Sequence, residues 1–170
     1  MRRLYTLLIG AVAAERVAEL VVSQRNLSWS RAQGGREFGA RHYPAMVALH
    51  TGLLAGCLVE VAVLRRRFVG RLGWPMLAVV LLAQGLRWWC IATLGRQWNT
   101  RVVVVPDAQR VSSGPYRFVP HPNYVAVVAE GAALPLVHSG WITALVFSTL
   151  NAAVLRTRLR IENDALESLT

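Results

Sequence analysis

Long apolar stretches alternate with short arginine-rich stretches along the chain, and this pattern dominates the sequence. A bilayer core about 30 Å thick requires about 20 mostly apolar residues in helical conformation. The segments that meet or approach this requirement lie at residues 4–22, 44–64, 74–94, 124–137 and 141–155. The last two are shorter and are separated only by His138, Ser139 and Gly140, which predicts a tight helical hairpin or a partly re-entrant pair. We therefore predict an all-α integral membrane protein with about five transmembrane helices.

A polar, proline-containing stretch at residues 96–123 interrupts this pattern. Its charged residues are Arg96, Arg101, Asp107, Arg110 and Arg117. Non-helical backbone cannot face lipid, because its amide groups would remain unpaired there. The stretch is therefore the natural place for a polar site.

The C-terminal tail predicts a charged helix suited to the membrane surface or to folding back over a site. Its apolar residues lie on or near one side and are Leu155, Leu159, Ala165 and Leu166. We expect a single domain, in which residues 1–95 form N-terminal helices on the substrate side and residues 96–170 form the catalytic half.

Composition supports the membrane interpretation and changes how the charge is understood. Hydrophobic residues make up 54% of the chain, and the net charge of +10 rests on 19 arginines and no lysine. A pI near 11.3 would ordinarily indicate nucleic-acid binding. Here the arginines gather in short runs between apolar stretches, which is typical of loops beside an anionic bilayer, so we expect lipid contacts and no nucleic acid. Cys57 and Cys90 lie within apolar runs without metal-ligand spacing, so we predict packing residues and no metal site.

The distribution of arginines predicts the orientation. With five spans, one side of the membrane receives 11 arginines in the loops at 25–41 and 96–117 and in the tail, against six on the other side. The positive-inside rule then places the 96–123 loop and the tail in the cytoplasm. We expect a bacterial inner membrane protein whose active site faces the cytoplasm.

The segment GPYRFVPHPNY, residues 114–124, carries the most distinctive chemistry. Gly114 and Pro115 predict a turn, two further prolines bracket His121 in extended backbone, and Tyr124 stands in the first turn of the next helix. Free amides and the positive dipole end of a helix N-terminus favour an anionic group such as a carboxylate. The alternative is a proline-rich turn that only leads the chain into a membrane helix.

Other ionisable residues lie at membrane depth. Glu130 follows on the fourth segment, where an unpaired acid costs at least about 2.5 kcal/mol, so we expect a cationic ligand, an ion pair with Arg87 or a protonated acid. Glu15, Arg16 and Glu19 have the spacing of helical ion pairs, which favours an intramembrane structural network over catalysis.

Two histidines lie near and within the second segment. His42 and His50 are too far apart to hold a metal together, and each is expected to bond a neighbouring helix or to line a substrate path.

Asn151, Arg158 and Glu162 are spaced by seven and then four residues, which places them within about 20° of one another on a helix. Arg158 can hold a carboxylate or enolate, and Glu162 can orient Arg158 or accept a proton. The alternative is a solvated Arg and Glu pair at i, i+4.

These residues together resemble a known family. GPYRFVPHPNY, Glu130, ALPL at 133–136, Asn151 and RLRIENDAL at 158–166 resemble the C-terminal half of the isoprenylcysteine carboxyl methyltransferase family, whose members are membrane enzymes that use S-adenosylmethionine (SAM). The N-terminal half, with ERVAEL at 15–20, SQRN at 23–26, GGREFGARHYPAMVALH at 34–50 and Glu60, is similar to a bacterial branch often associated with type III polyketide synthases. Pro120 and Asn163 depart from the family pattern, which often has a basic residue before the histidine and a second acid in the tail.

The resemblance implies that the loop and the C-terminal helix form a SAM pocket near the cytosolic face. It implies catalytic roles for Arg158 and Glu162. With SAM as the cofactor, its sulfonium or ammonium group becomes a candidate for the cationic ligand of Glu130. We assign to the cofactor site Tyr116, Val119, His121, Pro122, Tyr124, Glu130 and Asn151.

The expected function is SAM-dependent O-methylation of a carboxylate or enolic hydroxyl on a lipophilic small molecule, isoprenylcysteine-like or alkylpyrone-like, that arrives from the bilayer. Two alternatives from other classes are a membrane reductase using NADPH, because such enzymes also carry proline-rich segments with His and Tyr, and a non-enzymatic adaptor or transporter component. A monomer suffices for the expected mechanism.

Overall fold

The structure, a computed structural model, describes residues 1–106, 108–109 and 111–167, with the backbone alone at 166 and 167. Five α-helices form the protein, and we number them in chain order. They are α1 (Arg2–Ala32), α2 (Tyr43–Val63), α3 (Gly70–Leu94), α4 (Pro122–Leu136) and α5 (Trp141–Glu167). Two short strands, β1 (Arg36–Phe38) and β2 (Val102–Val104), pair antiparallel with Glu37 opposite Val103.

Local sequence explains where the helices begin and end. α3 stops at Gly95, which adopts a positive φ of 53° that a side chain would oppose. α4 begins at Pro122, where the missing amide hydrogen is no loss because first-turn amides have no helical partner. Between α4 and α5 the chain reverses within Val137–Gly140, and the amide of Gly140 donates to the carbonyl of Pro135 at 2.9 Å.

The apolar core occupies one half of the molecule. Side chains of all five helices meet there, including Ile9, Leu53, Val80, Leu134 and Phe147, each at most 5% exposed. The opposite half holds the ends of the helices that bear polar side chains, together with the 95–121 loop. The fold thus separates a packed apolar half from a half in which polar groups can gather.

Glu60 fixes the start of α5 against the end of α2. Its carboxylate accepts hydrogen bonds from the amide of Thr143 at 2.8 Å and the amide of Ile142 at 3.3 Å, and pairs with Arg66 at 2.9 Å. First-turn amides lack helical partners, and a negative charge complements the helix dipole. This contact also explains why a glutamate of an otherwise apolar helix is only 6% exposed.

Comparison with the sequence prediction confirms the all-helical class and shows where it fell short. Within the described residues, two helical segments, Ala40–Val63 and Gly70–Gln97, are long and apolar enough to cross a membrane by length and composition. Five crossings are therefore not established by that measure. The last span and the charged tail form one continuous helix, and the β1–β2 ribbon was not predicted. Three groups named in the sequence analysis lie outside the described residues. They are Asp107, Arg110 and the side chain of Leu166.

Gly131 gives a test of the α4–α5 interface. A Cβ added there would lie 2.0 Å from the ring of Phe147. We expect Gly131→Ala to lower the free energy of unfolding by about 1–3 kcal/mol, because the buried ring must move. Gly85→Ala in α3, where an added Cβ meets nothing within 4 Å, is the matched control and should be neutral or stabilising. Thermal unfolding in detergent measures both, and equal effects would contradict the packing described.

Candidate active site

The polar half contains a cavity of about 480 Å³, which we call the loop cavity. Its wall is formed by Leu94 at the end of α3, the described residues of the 95–121 loop, the first turn of α4 and the last turns of α5. This size lies within the range of small-molecule and cofactor sites in proteins. The sequence segments expected to meet, residues 114–124 and the C-terminal helix, do meet here.

Arg158 is the central side chain of this half and is 8% exposed. Its Nε donates to the hydroxyl of Tyr124 at 2.9 Å, and its Nη1 donates to the carbonyl of Thr100 at 2.8 Å. Nη1 also contacts the sulfur of Met46 at 2.9 Å. In the described part of the chain no hydrogen bond uses Nη2, so this donor is available to a ligand.

Tyr124 connects Arg158 to Glu162. The tyrosine hydroxyl accepts from Arg158 and donates to the Glu162 carboxylate. The ring of His121 stacks on that of Tyr124 with centroids 5.3 Å apart, and its Nδ1 lies 3.7 Å from Glu162. The four side chains therefore form one connected group on the wall of the loop cavity.

The loop is held in place by the C-terminal half of α1. The Asn26 amide donates to the carbonyls of Trp98 at 2.7 Å and Gly95 at 3.1 Å. The Ser23 hydroxyl accepts from the amide of Thr100 at 3.0 Å. These contacts fix the Thr100 carbonyl that receives Arg158.

The β1–β2 ribbon secures the other side of the loop. Arg101 pairs with Glu37 of β1 at 2.6 Å, and its guanidinium lies 4.1 Å from the ring centre of Tyr43. Strand pairing, an ion pair and a cation–π contact thus fasten the loop to the start of α2.

A second cavity of about 150 Å³, the helix cavity, lies among α1, α2, α4 and α5. Its middle is apolar, with Leu54, Val127 and Leu155 among the lining residues. Its deeper lining includes Arg16, Glu19, Arg87 and Asn151. The residues that line both cavities are Trp98, Asn99, Asn123, Tyr124 and Arg158.

Three residues of this shared wall have buried polar atoms without a hydrogen bond to the described residues. They are Trp98 through Nε1, Asn99 through Nδ2 and Asn123 through Oδ1. Buried polar atoms usually have partners, because an unpaired one costs free energy. Two donors and one acceptor are therefore free at the junction of the cavities.

A buried network of charges lines one part of the helix cavity and extends to Glu130. Glu130 pairs with Arg87, and Nη2 of Arg16 lies 3.5 Å from the carboxylate of Glu130. Arg16 pairs with Glu19 at 2.8 Å, and Arg87 lies 3.5 Å from Glu19. The network joins α1, α3 and α4, and it includes the Arg16 and Glu19 pair at i, i+3 for which the sequence has the spacing.

The structure distributes the predicted site residues over four places. Those that line the loop cavity are Tyr116, Val119, His121, Tyr124, Arg158 and Glu162. Pro122 is buried at the start of α4. Asn151 lines the helix cavity, and Glu130 takes the ion pair with Arg87 that was one alternative. His50 lines the helix cavity too, with Nδ1 2.9 Å from the carbonyl of Met46.

Tyr116 illustrates how the turn at 114–117 is buried. Gly114 has a φ of 56°, and a Cβ there would lie 2.6 Å from the hydroxyl of Thr93. The turn thus packs tightly on α3, and burial raises the pKa of Tyr116 well above its ordinary value. Its phenol remains a neutral group of the cavity wall at physiological pH.

Sequence reasoning missed the residues that position the site from outside the 114–124 segment. They are Ser23, Asn26, Tyr43, Met46 and Thr100. A signal for two of them exists, because Ser23 and Asn26 belong to the SQRN run at 23–26 that carries part of the family resemblance. Thr100 acts through its backbone carbonyl, which leaves no trace in side-chain chemistry.

Comparison with known proteins identifies the class. The model of the isoprenylcysteine carboxyl methyltransferase family matches residues 76–168, which cover more than half of the chain. The chain is 34% identical over 166 residues to the uncharacterized protein YpbQ of Bacillus subtilis strain 168, covering 96% of this chain and 97% of that protein. It is 24% identical over 163 residues to an uncharacterized protein of Haemophilus influenzae, covering 94% and 93%. No solved structure matches the chain significantly.

The chain belongs to the isoprenylcysteine carboxyl methyltransferase family. Members of this family are membrane-associated methyltransferases. Together with the two helices long enough to cross a bilayer, membership indicates a membrane protein and an enzyme of the methyltransferase class. The resemblance drawn from the 114–124 segment and the tail is thereby confirmed.

The loop anchor on α1 can be tested directly. Asn26→Leu removes two hydrogen bonds to the loop and leaves the carbonyls of Gly95 and Trp98 without them, so we expect a loss of about 1–3 kcal/mol in stability and faster hydrogen exchange at residues 95–102. Gln24→Leu, at an exposed position of the same helix, is the control. Unchanged exchange in Asn26→Leu would contradict an anchoring role.

Proposed function

We propose that the protein is a SAM-dependent O-methyltransferase that acts on a carboxylate or enolic hydroxyl of a lipophilic small molecule, isoprenylcysteine-like or alkylpyrone-like. The loop cavity receives SAM, and the helix cavity receives the acceptor. The observation that carries this proposal is the shared wall, where Arg158 and Tyr124 face both cavities. Methyl transfer requires a donor and an acceptor at adjacent sites, and this wall is where they would meet.

The loop cavity suits SAM by the chemistry of its lining, and the family uses this cofactor in general. Val103 and Val119 offer apolar surface for the adenine, and Tyr124 offers an aromatic face for a cation. The free donors of Trp98 and Asn99 would hold the carboxylate, and the start of α4 has no side-chain cap, so the positive end of its dipole favours the same anion.

The helix cavity suits an acceptor that comes from the bilayer. Leu20 of α1 and Val47 of α2 line this cavity and are also 43% and 38% exposed on the outer surface. An opening between two lipid-facing helices admits an apolar chain laterally, without passage through water. The acceptor's reactive oxygen would then point toward Arg158.

When bound, SAM would supply a methyl group on a sulfonium, and an ionised oxygen of the acceptor would attack the methyl carbon in a single in-line step, with S-adenosylhomocysteine as the leaving group. The carbon–sulfur bond breaks as the carbon–oxygen bond forms. The protein's part is to ionise, hold and align the oxygen and to exclude water. Arg158 stabilises the oxyanion through Nη2, and Tyr124 and Glu162 hold its guanidinium in place. A proton from an enolic acceptor can pass to Glu162, whose side chain is 30% exposed at the loop cavity.

We further propose that all five helices lie in a bacterial cytoplasmic membrane, with the loop cavity toward the cytoplasm. Every helix presents large apolar side chains outward, for example Leu7, Val59, Leu82, Val128 and Leu145, each at least 50% exposed. Exposed apolar surface on all sides is expected of a lipid-facing bundle. The excess of arginines beside the loop cavity supports the orientation.

Removal of the Arg158 charge tests the proposal. We expect Arg158→Gln to lower methyl transfer by about 10²–10³-fold, the usual effect of removing one donor to an oxyanion. Arg160→Gln, an exposed arginine one half-turn away, is the matched control and should retain activity. The measurement is transfer of a labelled methyl group from SAM into lipids of membranes that contain each variant.

Three outcomes would contradict the proposal or one of its parts. Lipid methylation that does not depend on the protein would remove the assigned reaction. Tight binding of NADPH without binding of SAM would favour a membrane reductase, and full activity of Arg158→Gln would remove the assigned role of that residue.

The hydroxyl of Tyr124 is expected to matter separately from its ring. Tyr124→Phe retains the stacking on His121 but breaks the link between Arg158 and Glu162, so we expect kcat to fall about tenfold while the dissociation constant of SAM changes little. Calorimetry measures the dissociation constant of SAM, and labelled methyl transfer measures kcat. A large loss of SAM affinity with unchanged kcat would show that the hydroxyl serves the cofactor instead.

A further inference from the structure

The helix cavity contains a histidine to which the proposed function gives no role. His50 of α2 lines this cavity, and its Nδ1 lies 2.9 Å from the carbonyl of Met46, one turn earlier. A carbonyl oxygen only accepts hydrogen bonds, so in the neutral ring Nδ1 carries the proton and Nε2 has the free lone pair. Among the described residues no hydrogen bond uses Nε2, so this nitrogen is available to a ligand.

Two contacts hold the His50 ring in place. The bond to Met46 fixes one edge, and the ring of Phe147 in α5 meets the imidazole edge-on, with centroids 5.4 Å apart. Met46 also contacts Arg158 through its sulfur. Residues four apart lie on the same face of a helix, so His50 and Met46 are neighbours on one face of α2. This face brings a basic nitrogen into the cavity that Arg158 also lines.

An acceptor that enters from the bilayer has to lose a proton inside the helix cavity. An ion in hydrocarbon is costly, so a carboxylic acid or an enol passes between Leu20 and Val47 in its neutral form. The oxygen that attacks the methyl carbon is ionised, so the proton must be removed after entry. A base in the cavity is therefore needed for either kind of acceptor.

Few side chains of the cavity can serve as this base. Among the described residues that line it, only Glu19 and His50 carry groups that accept a proton near neutral pH. Glu19 pairs with Arg16 at 2.8 Å and lies 3.5 Å from Arg87, so a proton there would remove the charge that both arginines face. Glu162 lines the loop cavity and is not among the described lining residues of the helix cavity. His50 is the base that remains.

We propose that His50 is a further catalytic residue, whose Nε2 removes the proton from the reacting oxygen of the acceptor. The inference rests on the proposed function, since it places the acceptor in the helix cavity. The oxygen–hydrogen bond breaks and its electrons stay on oxygen, which forms the bond to the methyl carbon. The electrons of the carbon–sulfur bond go to sulfur. The positive charge lost there is matched by the imidazolium, which gives its proton to water when the product leaves.

The charges around His50 suit this role. Three arginines and two carboxylates face the ring from the other four helices, which favours the neutral ring before the reaction. They are Arg16 and Glu19 of α1, Arg87 of α3, Glu130 of α4 and Arg158 of α5. A neutral ring is the form that accepts a proton.

A variant that keeps the contact to Met46 tests the base. In His50→Asn the amide nitrogen can still donate to the Met46 carbonyl, but no group replaces Nε2. We expect methyl transfer at about pH 7 to fall about 10²-fold, the usual range for loss of a general base. The deficit should shrink as the pH rises to about 9, because more of the acceptor then ionises unaided. His42→Gln, which changes a histidine that lines neither cavity, is the control and should keep the wild-type pH profile.

Rescue by a free base gives a second measurement. His50→Ala leaves room at the position of the ring, so added imidazole should restore at least about tenfold of the lost activity. Pyrazole, a ring of the same size and a much weaker base, should restore little. The dissociation constant of SAM, measured by calorimetry, should be unchanged in both variants, because His50 does not line the loop cavity.

The outcomes separate this inference from the proposed function. Full activity of His50→Asn, a deficit that is the same at every pH, or equal rescue by imidazole and pyrazole would each overturn the role of His50 and leave the proposed function. The same pH signature in Glu162→Gln instead of His50→Asn would assign the base to Glu162. Absence of methyl transfer in the wild-type protein would remove the proposed function itself.

Discussion

The polar half of this protein depends on the burial of one guanidinium group. Arg158 is almost fully enclosed, and a buried charge is tolerated only where hydrogen bonds and nearby polar groups replace water. Its partners come from α4, from the 95–121 loop and from α2. Satisfying this one side chain therefore requires α5 to lie against three separate parts of the chain at once. The two cavities exist on either side of that junction.

A second polar network performs a related task deeper in the molecule. Arg16, Arg87, Glu19 and Glu130 join α1, α3 and α4 beside the helix cavity. Charges buried in pairs contribute modestly to stability, but they are costly to misplace, so they fix helix register. The apolar core in the opposite half supplies the packing, and the polar networks determine how the helices meet around the cavities.

Much of this arrangement could be predicted from the sequence, and the reasons for success differ between parts. The helices follow from apolar length, and the meeting of residues 114–124 with the tail follows from a motif whose rigid prolines and charged partners constrain it. The partner of Glu130 was harder to predict, because an acid at membrane depth indicates that a partner exists but does not identify it. The sequence places Asn151 on one helical stripe with Arg158 and Glu162. In the structure Asn151 lies on that stripe, but it lines the helix cavity. The helical period fixes the direction in which a side chain points, but it does not show which groups lie opposite that side chain.

The positions that escaped prediction are those whose role comes from another segment. Asn26 and Ser23 are unremarkable helix residues until the 95–100 loop lies beside them, and Thr100 acts through a carbonyl that any residue would provide. Their contribution is to place one backbone oxygen where Arg158 needs it. Because Arg158 lines both cavities, the partition between the loop cavity and the helix cavity depends on contacts made by α1. The N-terminal helices thus shape the site even though the distinctive motif residues lie in the C-terminal half.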